Sequence, residues 1–230
     1  HYAEVHLALS PGKRGSGITF ESKCPFDQLD RSYQNLIRTH VFERELRGVL
    51  VGAPLTDVRV TLLAGKAHEK HTEGGDFREA VYRALRQGLM QAESILLEPW
   101  YAFRIQADSR QLGRILSDIQ RLQGVFEPPR QQENRVTVNG RGPAAGFINY
   151  SRELAAFTKG KGMFSFRFDG YEPCQNQEEL AARFSYDPEA DLEYTPDSVF
   201  CSHGAGFVVP WDQVRSHMHV DSGWGKSKSP

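Results

Sequence analysis

The chain has 230 residues, of which 39% are hydrophobic and 25% charged, with a formal net charge of −1 at pH 7. This length allows one large domain or two small ones, and the composition is ordinary for a globular protein. No stretch approaches the roughly 18 apolar residues of a membrane span. The three cysteines, Cys24, Cys174 and Cys201, are few and widely spaced. They do not form a disulfide framework and are typical of a reducing compartment.

Charge is distributed unevenly along the chain. Between Glu172 and Phe200 there are eight acidic residues and one basic residue, Arg183, whereas residues 1–171 have an excess of basic residues. A mildly basic body with an acidic appendage fits an RNA-facing surface better than the net charge suggests. Because His1 opens directly onto a strand-like segment, we expect the chain to be part of a longer protein.

Residues 1–95 predict a small α/β domain. Apolar and polar residues alternate over three segments, which predicts strands at 2–9, 18–22 and 56–64. Apolar residues at helical spacing predict two helices, one after Asp30 as N-cap and one over 76–92 with Asp76 as N-cap. The charged 65–75 segment joins the third strand to the second helix.

Residues 96–172 predict a second domain with the order β-α-β-β-α-β. The predicted strands are 100–107, 125–126, 135–139 and 163–171, and the predicted helices are 110–122 and 145–158. This order is that of the ferredoxin-like split βαβ arrangement, so the fold class is α+β. The alternating Phe164, Phe166 and Phe168 predict one buried face of the last strand.

Residues 173–230 predict an extension that is first acidic and then rich in glycine and aromatic residues. We expect this extension to pack on the second domain. Its last residues, from Ser222 onward, are polar and Gly-rich, which predicts disorder.

The 65–75 segment contains the strongest candidates for recognition of a partner. Lysine and histidine side chains donate to phosphates, and an imidazole stacks on an exposed base. From the residues alone, the alternative of a charged turn that only faces water is favoured. The candidate contact residues are Lys66, His68, Glu69, Lys70 and His71.

A metal site at His68 and His71 is not the favoured interpretation. The zinc motif H-E-x-x-H places its histidines four residues apart on a helix, whereas these two are three apart and precede the predicted helix. His217 and His219 lie elsewhere in the chain, and spacing places no third ligand.

A second group of basic residues lies earlier in the chain. Lys13, Arg14, Arg38 and Arg44 could line one flank of the first domain and make sequence-independent contacts to RNA phosphates. An ordinary helix surface, with Glu43 and Glu45 interleaved among the bases, is an equally good interpretation.

Catalytic and nucleotide-binding motifs are missing from the sequence. There is no G-x-x-x-x-G-K-[ST] loop to hold GTP and magnesium, and no G-x-S-x-G elbow. The run 140–142 lacks the third glycine of a dinucleotide-binding loop. We therefore predict no catalytic residues, no metal and no cofactor in this chain.

Three segments together resemble elongation factor G at its fourth and fifth domains. Leu96-Leu97-Glu98-Pro99 is similar to the junction between those domains, and the segments 118–126 and 157–168 are similar to two turns of the fifth domain. They occur in the family's order and at about its spacing, over residues 1–172. The start of the second helix, Gly75-Asp76-Phe77-Arg78, and the extension resemble the tetracycline-resistance ribosomal protection proteins of the same superfamily.

This resemblance implies the C-terminal part of a cytoplasmic, ribosome-binding GTPase. The 65–75 segment would be the tip that enters the decoding region, with ribosomal RNA and ribosomal proteins as partners, no membrane and a monomeric state. GTP and magnesium would belong to an N-terminal domain outside this chain, so the parent would be a GTPase and the chain itself not an enzyme.

Three alternatives stay open. His68-Glu69 resembles the tip of elongation factor G, whereas the best-known protection proteins have an uncharged, Pro-containing loop there. An elongation-factor-G-like protein without a role in drug resistance is therefore the first alternative. The others are an unrelated small-molecule-binding α+β protein and a metal-dependent hydrolase built on the histidines.

Overall fold

The structure is a computed structural model, and it describes residues 2–224. The chain divides into two compact units. The first unit comprises His1–Ser94 together with Asn176–Pro230, and the second comprises Ile95–Gln175.

A three-stranded sheet and two helices form the body of the first unit. Its elements are β1 (Ala3–Pro11), β2 (Ile18–Ser22), α1 (Arg31–Phe42), β3 (Val58–Ala67) and α2 (Gly74–Gln91). β3 lies in the centre of the sheet, antiparallel to β1 and parallel to β2. Because both of its edges are paired, β3 is the most enclosed strand of this sheet, and Val60 and Leu62 are fully buried.

The two helices of the first unit begin with different caps. Asp30 caps α1 as predicted, since its Oδ1 accepts the Ser32 amide at 2.8 Å. The prediction that Asp76 caps α2 is wrong by one helical turn. The N-cap is Glu73, and the Asp76 carboxylate reaches back to accept the Glu73 amide at 2.8 Å, in a capping box.

The second unit contains the predicted order of elements, with additions. These are β4 (Leu97–Asp108), α3 (Leu112–Arg121), β5 (Val125–Phe126), β6 (Arg130–Gln132), β7 (Arg135–Pro143), α4 (Ala144–Phe147), α5 (Tyr150–Thr158) and β8 (Met163–Pro173). The strands are antiparallel in the order β5-β7-β4-β8, and β6 also pairs with β7. The α+β class and the split βαβ arrangement are thereby confirmed. The predicted helix 145–158 is two helices, since the chain leaves helical geometry at Asn149.

The aromatic residues of β8 correct the prediction of a fully buried strand face. Phe164 packs in the core beside Phe147 and Tyr150. Phe166 and Phe168 lie on the same face but are 48% and 55% exposed. β8 is the edge strand of the sheet. Of its three phenylalanines, only Phe164 packs against the hydrophobic core of this unit.

The extension packs on the first unit, not on the second as predicted. It contains α6 (Gln177–Phe184) and a hairpin of β9 (Ser198–Ser202) and β10 (Ala205–Val209). The Arg44 guanidinium lies between the rings of Tyr82 and Tyr194, at 3.6 and 4.3 Å. Cations of the first unit therefore hold the aromatic, acidic extension.

The predicted disorder from Ser222 onward falls largely on residues 225–230, which lie outside the described residues. Within the described part, Arg215 Nη2 donates to the Trp224 carbonyl at 3.3 Å. Between residues 2 and 224, no helix is both long enough and apolar enough to cross a bilayer.

Candidate functional site

The charged segment is shorter than predicted because the flanking elements extend into it. Lys66 and Ala67 are the last residues of β3, and α2 begins at Gly74, which leaves a loop of residues 68–73. The five candidate contact side chains of the segment are all exposed. They are Lys66, His68, Glu69, Lys70 and His71.

The 68–73 loop is held by its own hydrogen bonds. The His68 carbonyl accepts the amides of His71 at 3.1 Å and of Thr72 at 3.0 Å. The His68 amide donates to Thr72 Oγ1 at 2.7 Å, and the Lys70 amide donates to His68 Nδ1 at 3.2 Å. Since these backbone groups are satisfied within the loop, its conformation does not depend on the exposed side chains other than His68.

The two histidine rings lie against each other at the surface in a tilted arrangement. Their ring centroids are 4.5 Å apart and the planes are inclined by 33°. Because Nδ1 of His68 accepts the Lys70 amide, a neutral His68 ring carries its proton on Nε2. The pair therefore presents an aromatic surface with a hydrogen-bond donor, and the same loop carries the exposed Lys70, a combination that suits a nucleotide.

The other two histidines considered as metal ligands lie in different surroundings. His217 packs against Phe200, and His219 packs against Tyr2, with ring centroids 5.2 and 5.6 Å apart. In the part of the chain that the structure describes, no group of three His, Cys, Asp or Glu residues could hold a metal ion.

Tyr2 holds the loop from outside, and no sequence pattern indicates this role. The Tyr2 amide donates to the His71 carbonyl at 2.9 Å, and Thr72 Oγ1 donates to the Tyr2 carbonyl. These contacts join residues about 70 positions apart, so no local pattern could predict them. Only the pairing of β1 with β3, which places Ala3 opposite Ala67, brings Tyr2 to the loop.

The structure does not bring the predicted basic flank together with the loop. Lys13 and Arg14 are exposed in the turn after β1, beside the start of β3, whereas the loop follows the end of β3. The ten residues of β3 therefore separate the two sites by roughly 30 Å, at about 3.3 Å per residue.

Arg38 and Arg44 also differ from each other. Arg38 is exposed on α1, with its guanidinium 5.6 Å from the centre of the Phe42 ring. Arg44 is partly buried between Tyr82 and Tyr194, and its Nη1 donates to the Glu193 carbonyl at 3.4 Å. This corrects the prediction for Arg44, which binds the extension instead of facing a partner.

The second unit has a surface cleft of about 610 Å³. It lies on the sheet, and its lining includes Arg104, Arg141, Arg167 and Asp169. Arg141 donates to Asp169 at 2.9 Å and to Glu172 at 3.0 Å. Two of the charged side chains in this lining, Arg141 and Asp169, are therefore already paired with each other.

Comparison with known proteins identifies both units. The family model of elongation factor G domain IV matches residues 1–93, and that of the elongation factor G C-terminus matches residues 95–180. The tetracycline resistance protein TetP of Clostridium perfringens is 29% identical over 194 residues, which are 84% of this chain and 30% of TetP. Elongation factor G 1 of Synechocystis sp. is 31% identical over 173 residues, which are 75% of this chain and 25% of that factor.

A solved structure agrees with these matches. The crystal structure of ttk003000868 from Thermus thermophilus has a TM-score of 0.69 and 27% identity, and the match covers 78% of this chain and 26% of that one. The chain thus spans about a quarter to a third of the length of these relatives. Because the two family models match side by side and in order, the chain belongs to the elongation factor G family and carries that factor's domain IV and C-terminal domain.

Proposed function

We propose that this chain is the ribosome-binding C-terminal part of a cytoplasmic translational GTPase. The 68–73 loop is the tip that contacts ribosomal RNA in the decoding region. The GTP and magnesium that drive the cycle are bound by an N-terminal domain outside these 230 residues, so the chain itself does not hydrolyse GTP.

The observation that carries the proposal is the construction of the 68–73 loop. It combines exposed His68, Lys70 and His71 with a backbone tied to Tyr2 on one side and to the helix cap of α2 on the other. A fixed loop that presents a cation and two adjacent imidazoles is suited to phosphates and unpaired bases. An unstructured charged turn would lack these contacts to Tyr2 and to the helix cap.

The test replaces His68, Lys70 and His71 together by alanine. These side chains are exposed, and the loop loses only the His68 Nδ1 acceptor of the Lys70 amide, so the free energy of unfolding should change by no more than about 1 kcal/mol. Affinity for purified ribosomes should fall about tenfold or more, as expected for the loss of about 1.4 kcal/mol of contacts. The salt dependence of binding should also become shallower, because a phosphate contact is lost.

The matched control is Lys13→Ala with Arg14→Ala, which removes two exposed cations at the far end of the same sheet. This control should bind ribosomes nearly as well as the unmodified chain. Normal ribosome binding by the triple variant would refute the tip assignment. Weak binding by the control would indicate that the basic flank with Lys13 and Arg14 is the RNA-facing surface. Calorimetry of the unmodified chain should detect no GTP binding.

Ribosomal protection against tetracycline is a narrower form of the proposal, and the similarity to TetP supports it. The charged 68–73 loop instead favours the alternative of an elongation-factor-G-like protein without a resistance role. The two are separated by expressing the full-length parent in a tetracycline-sensitive bacterium. Resistance that disappears with the triple variant supports protection, and unchanged sensitivity supports the alternative.

A further inference from the structure

We propose that the end of the C-terminal extension positions the 68–73 loop, acting through Glu4 and Tyr2. The inference rests on the proposed function, because it assigns positioning residues to the loop that contacts the ribosome. Positioning here means that the extension limits the conformations of the loop without touching the bound RNA.

The first link is between the extension and Glu4 on β1. The Glu4 carboxylate accepts the backbone amide of His219 at 3.1 Å and that of Val220 at 3.0 Å. The His219 ring packs edge-on against the Tyr2 ring, with centroids 5.6 Å apart. The contact joins positions more than 210 residues apart, which ties the last described segment of the chain to its first strand.

Glu4 is held as a charged acceptor. Its side chain is only 12% exposed, and it also accepts the Tyr2 hydroxyl at 2.8 Å and His6 Nε2 at 2.7 Å. Burial raises the pKa of Glu4, but the hydrogen bonds from His6, the Val220 amide and Tyr2 outweigh burial and lower the pKa to about 2. A buried carboxylate with several donors is a strong attachment point, because hydrogen bonds to a charged acceptor are stronger than neutral ones.

The second link is between Tyr2 and the loop. The backbone of Tyr2 binds His71 through its amide and Thr72 through its carbonyl, and Thr72 Oγ1 in turn accepts the His68 amide. The side chain of Tyr2 therefore contacts the extension while its backbone contacts the loop. A displacement of residues 219–220 therefore loosens Tyr2. Tyr2 holds His71 directly and His68 through Thr72.

The test is Glu4→Gln in the complete 230-residue chain, read by amide hydrogen exchange. A neutral amide cannot accept hydrogen bonds at both of its heavy atoms, so part of the attachment is lost. We expect the Tyr2 and His68 amides to exchange about tenfold faster, while the amides in the middle of α2 are unchanged. The matched control Glu178→Gln, at an exposed position of α6, should change none of them.

A second variant acts from the side of the extension. His219→Ala removes the ring contact with Tyr2 and leaves β1 intact, and it should speed exchange at Tyr2 and His68 by about threefold. Unchanged exchange in both variants would overturn the proposal. It would also be overturned if Glu4→Gln sped exchange equally throughout the first unit, because Glu4 would then be a general stabiliser.

The same variants separate this inference from the proposed function. If Glu4→Gln loosens the loop and also lowers ribosome affinity, both the positioning role of the extension and the tip assignment of the loop are supported. If the loop loosens but neither Glu4→Gln nor the alanine triple variant alters ribosome binding, the positioning is upheld and the assignment of the loop as ribosomal tip fails.

Discussion

Arg86 is a buried cation whose hydrogen bonds hold three segments of the first unit together. Its side chain lies on α2 and is 3% exposed. Nη1 donates to the carbonyls of Arg47 at 2.9 Å and Gly48 at 3.2 Å, and Nη2 donates to the Tyr186 hydroxyl. One guanidinium thus donates hydrogen bonds to two carbonyls of the turn after α1 and to a tyrosine of the extension at the same time.

Arg86→Met should destabilise the first unit by about 3 kcal/mol. Methionine keeps most of the volume but leaves two carbonyls and the Tyr186 hydroxyl without their donor, and hydrogen bonds to charged groups contribute about 1.5–3 kcal/mol each. Urea denaturation gives the measurement. Arg38→Met, at an exposed position of α1, is the control and should change the unfolding free energy by no more than about 0.5 kcal/mol.

Glu43 makes the stability of the first unit sensitive to acid. Burial raises the pKa of its carboxyl, but hydrogen bonds from Tyr82, Arg78 and His40 lower it from 4.5 to about 2. A group whose pKa is lower in the folded state contributes stability above its unfolded pKa and loses it as the pH falls. The contribution of Glu43 is therefore complete above about pH 5 and disappears between that value and about pH 2.

Glu43→Gln should flatten the fall in unfolding free energy between about pH 5 and about pH 2. Denaturation curves near neutral pH, at about pH 4.5 and at about pH 3 give the comparison, since the variant is less stable at neutral pH and approaches the unmodified chain in acid. Glu45→Gln is the control, because Glu45 is exposed and lies 3.6 Å from Arg47. An unchanged pH profile in the Glu43 variant would contradict the assignment.

At the scale of elements, β8 carries one partly buried aromatic residue that packs against the core and two exposed ones on the same face. Phe164 packs among Phe103, Phe147 and Tyr150, whereas Phe168 is 55% exposed beside Tyr171. Phe164→Ala should destabilise the second unit by about 3 kcal/mol through the cavity it leaves, and Phe168→Ala should cost less than about 1 kcal/mol. Thermal unfolding followed by circular dichroism compares them, and equal costs would mean that the strand face is buried throughout.

Periodicity predicted the elements whose apolar residues face one core. The helix with Ile37 and Val41 and the helix with Ile115 and Ile119 both occur where their spacing places them, and all four side chains are almost fully buried. The sequence does not reveal the break between α4 and α5, because apolar residues continue across it at helical spacing. The exposure of Phe166 and Phe168 is not predictable from alternation, because alternation shows which residues share a face but not how far the helices cover that face.

The candidate site was predictable only in part for a related reason. Its exposed side chains form a charged run in the sequence. The family resemblance implies that this run is the tip that contacts the ribosome. The residues that hold it, Tyr2, Glu4 and Thr72, have no distinguishing local pattern. The sequence does not show on which unit the extension packs, because its anchors, such as Tyr186 and Tyr194, pair with arginines that are distant in sequence.

At the scale of the whole molecule, the two units should unfold independently. Each has its own core, one around Val60 and Phe77 and the other around Ile105 and Phe147, and the two clusters share no residue. Arg86→Met should therefore speed hydrogen exchange in the first unit alone, and Phe164→Ala in the second alone, when peptides are followed by mass spectrometry. A variant that speeds exchange equally in both units would show that they unfold as one.

The burial of Arg86 beneath Tyr186 has a consequence for the order of events during synthesis. The second unit is continuous in sequence, whereas the first is interrupted by it and is completed by residues translated after it. At about 5–20 residues per second, translation of the intervening segment Ile95–Gln175 takes roughly 4 to 16 seconds. The second unit can close its core once β8, its last strand, has been made, whereas the Arg86 and Arg44 side chains remain hydrated until the extension follows. The segment of this chain that is made first is therefore the one that matures last.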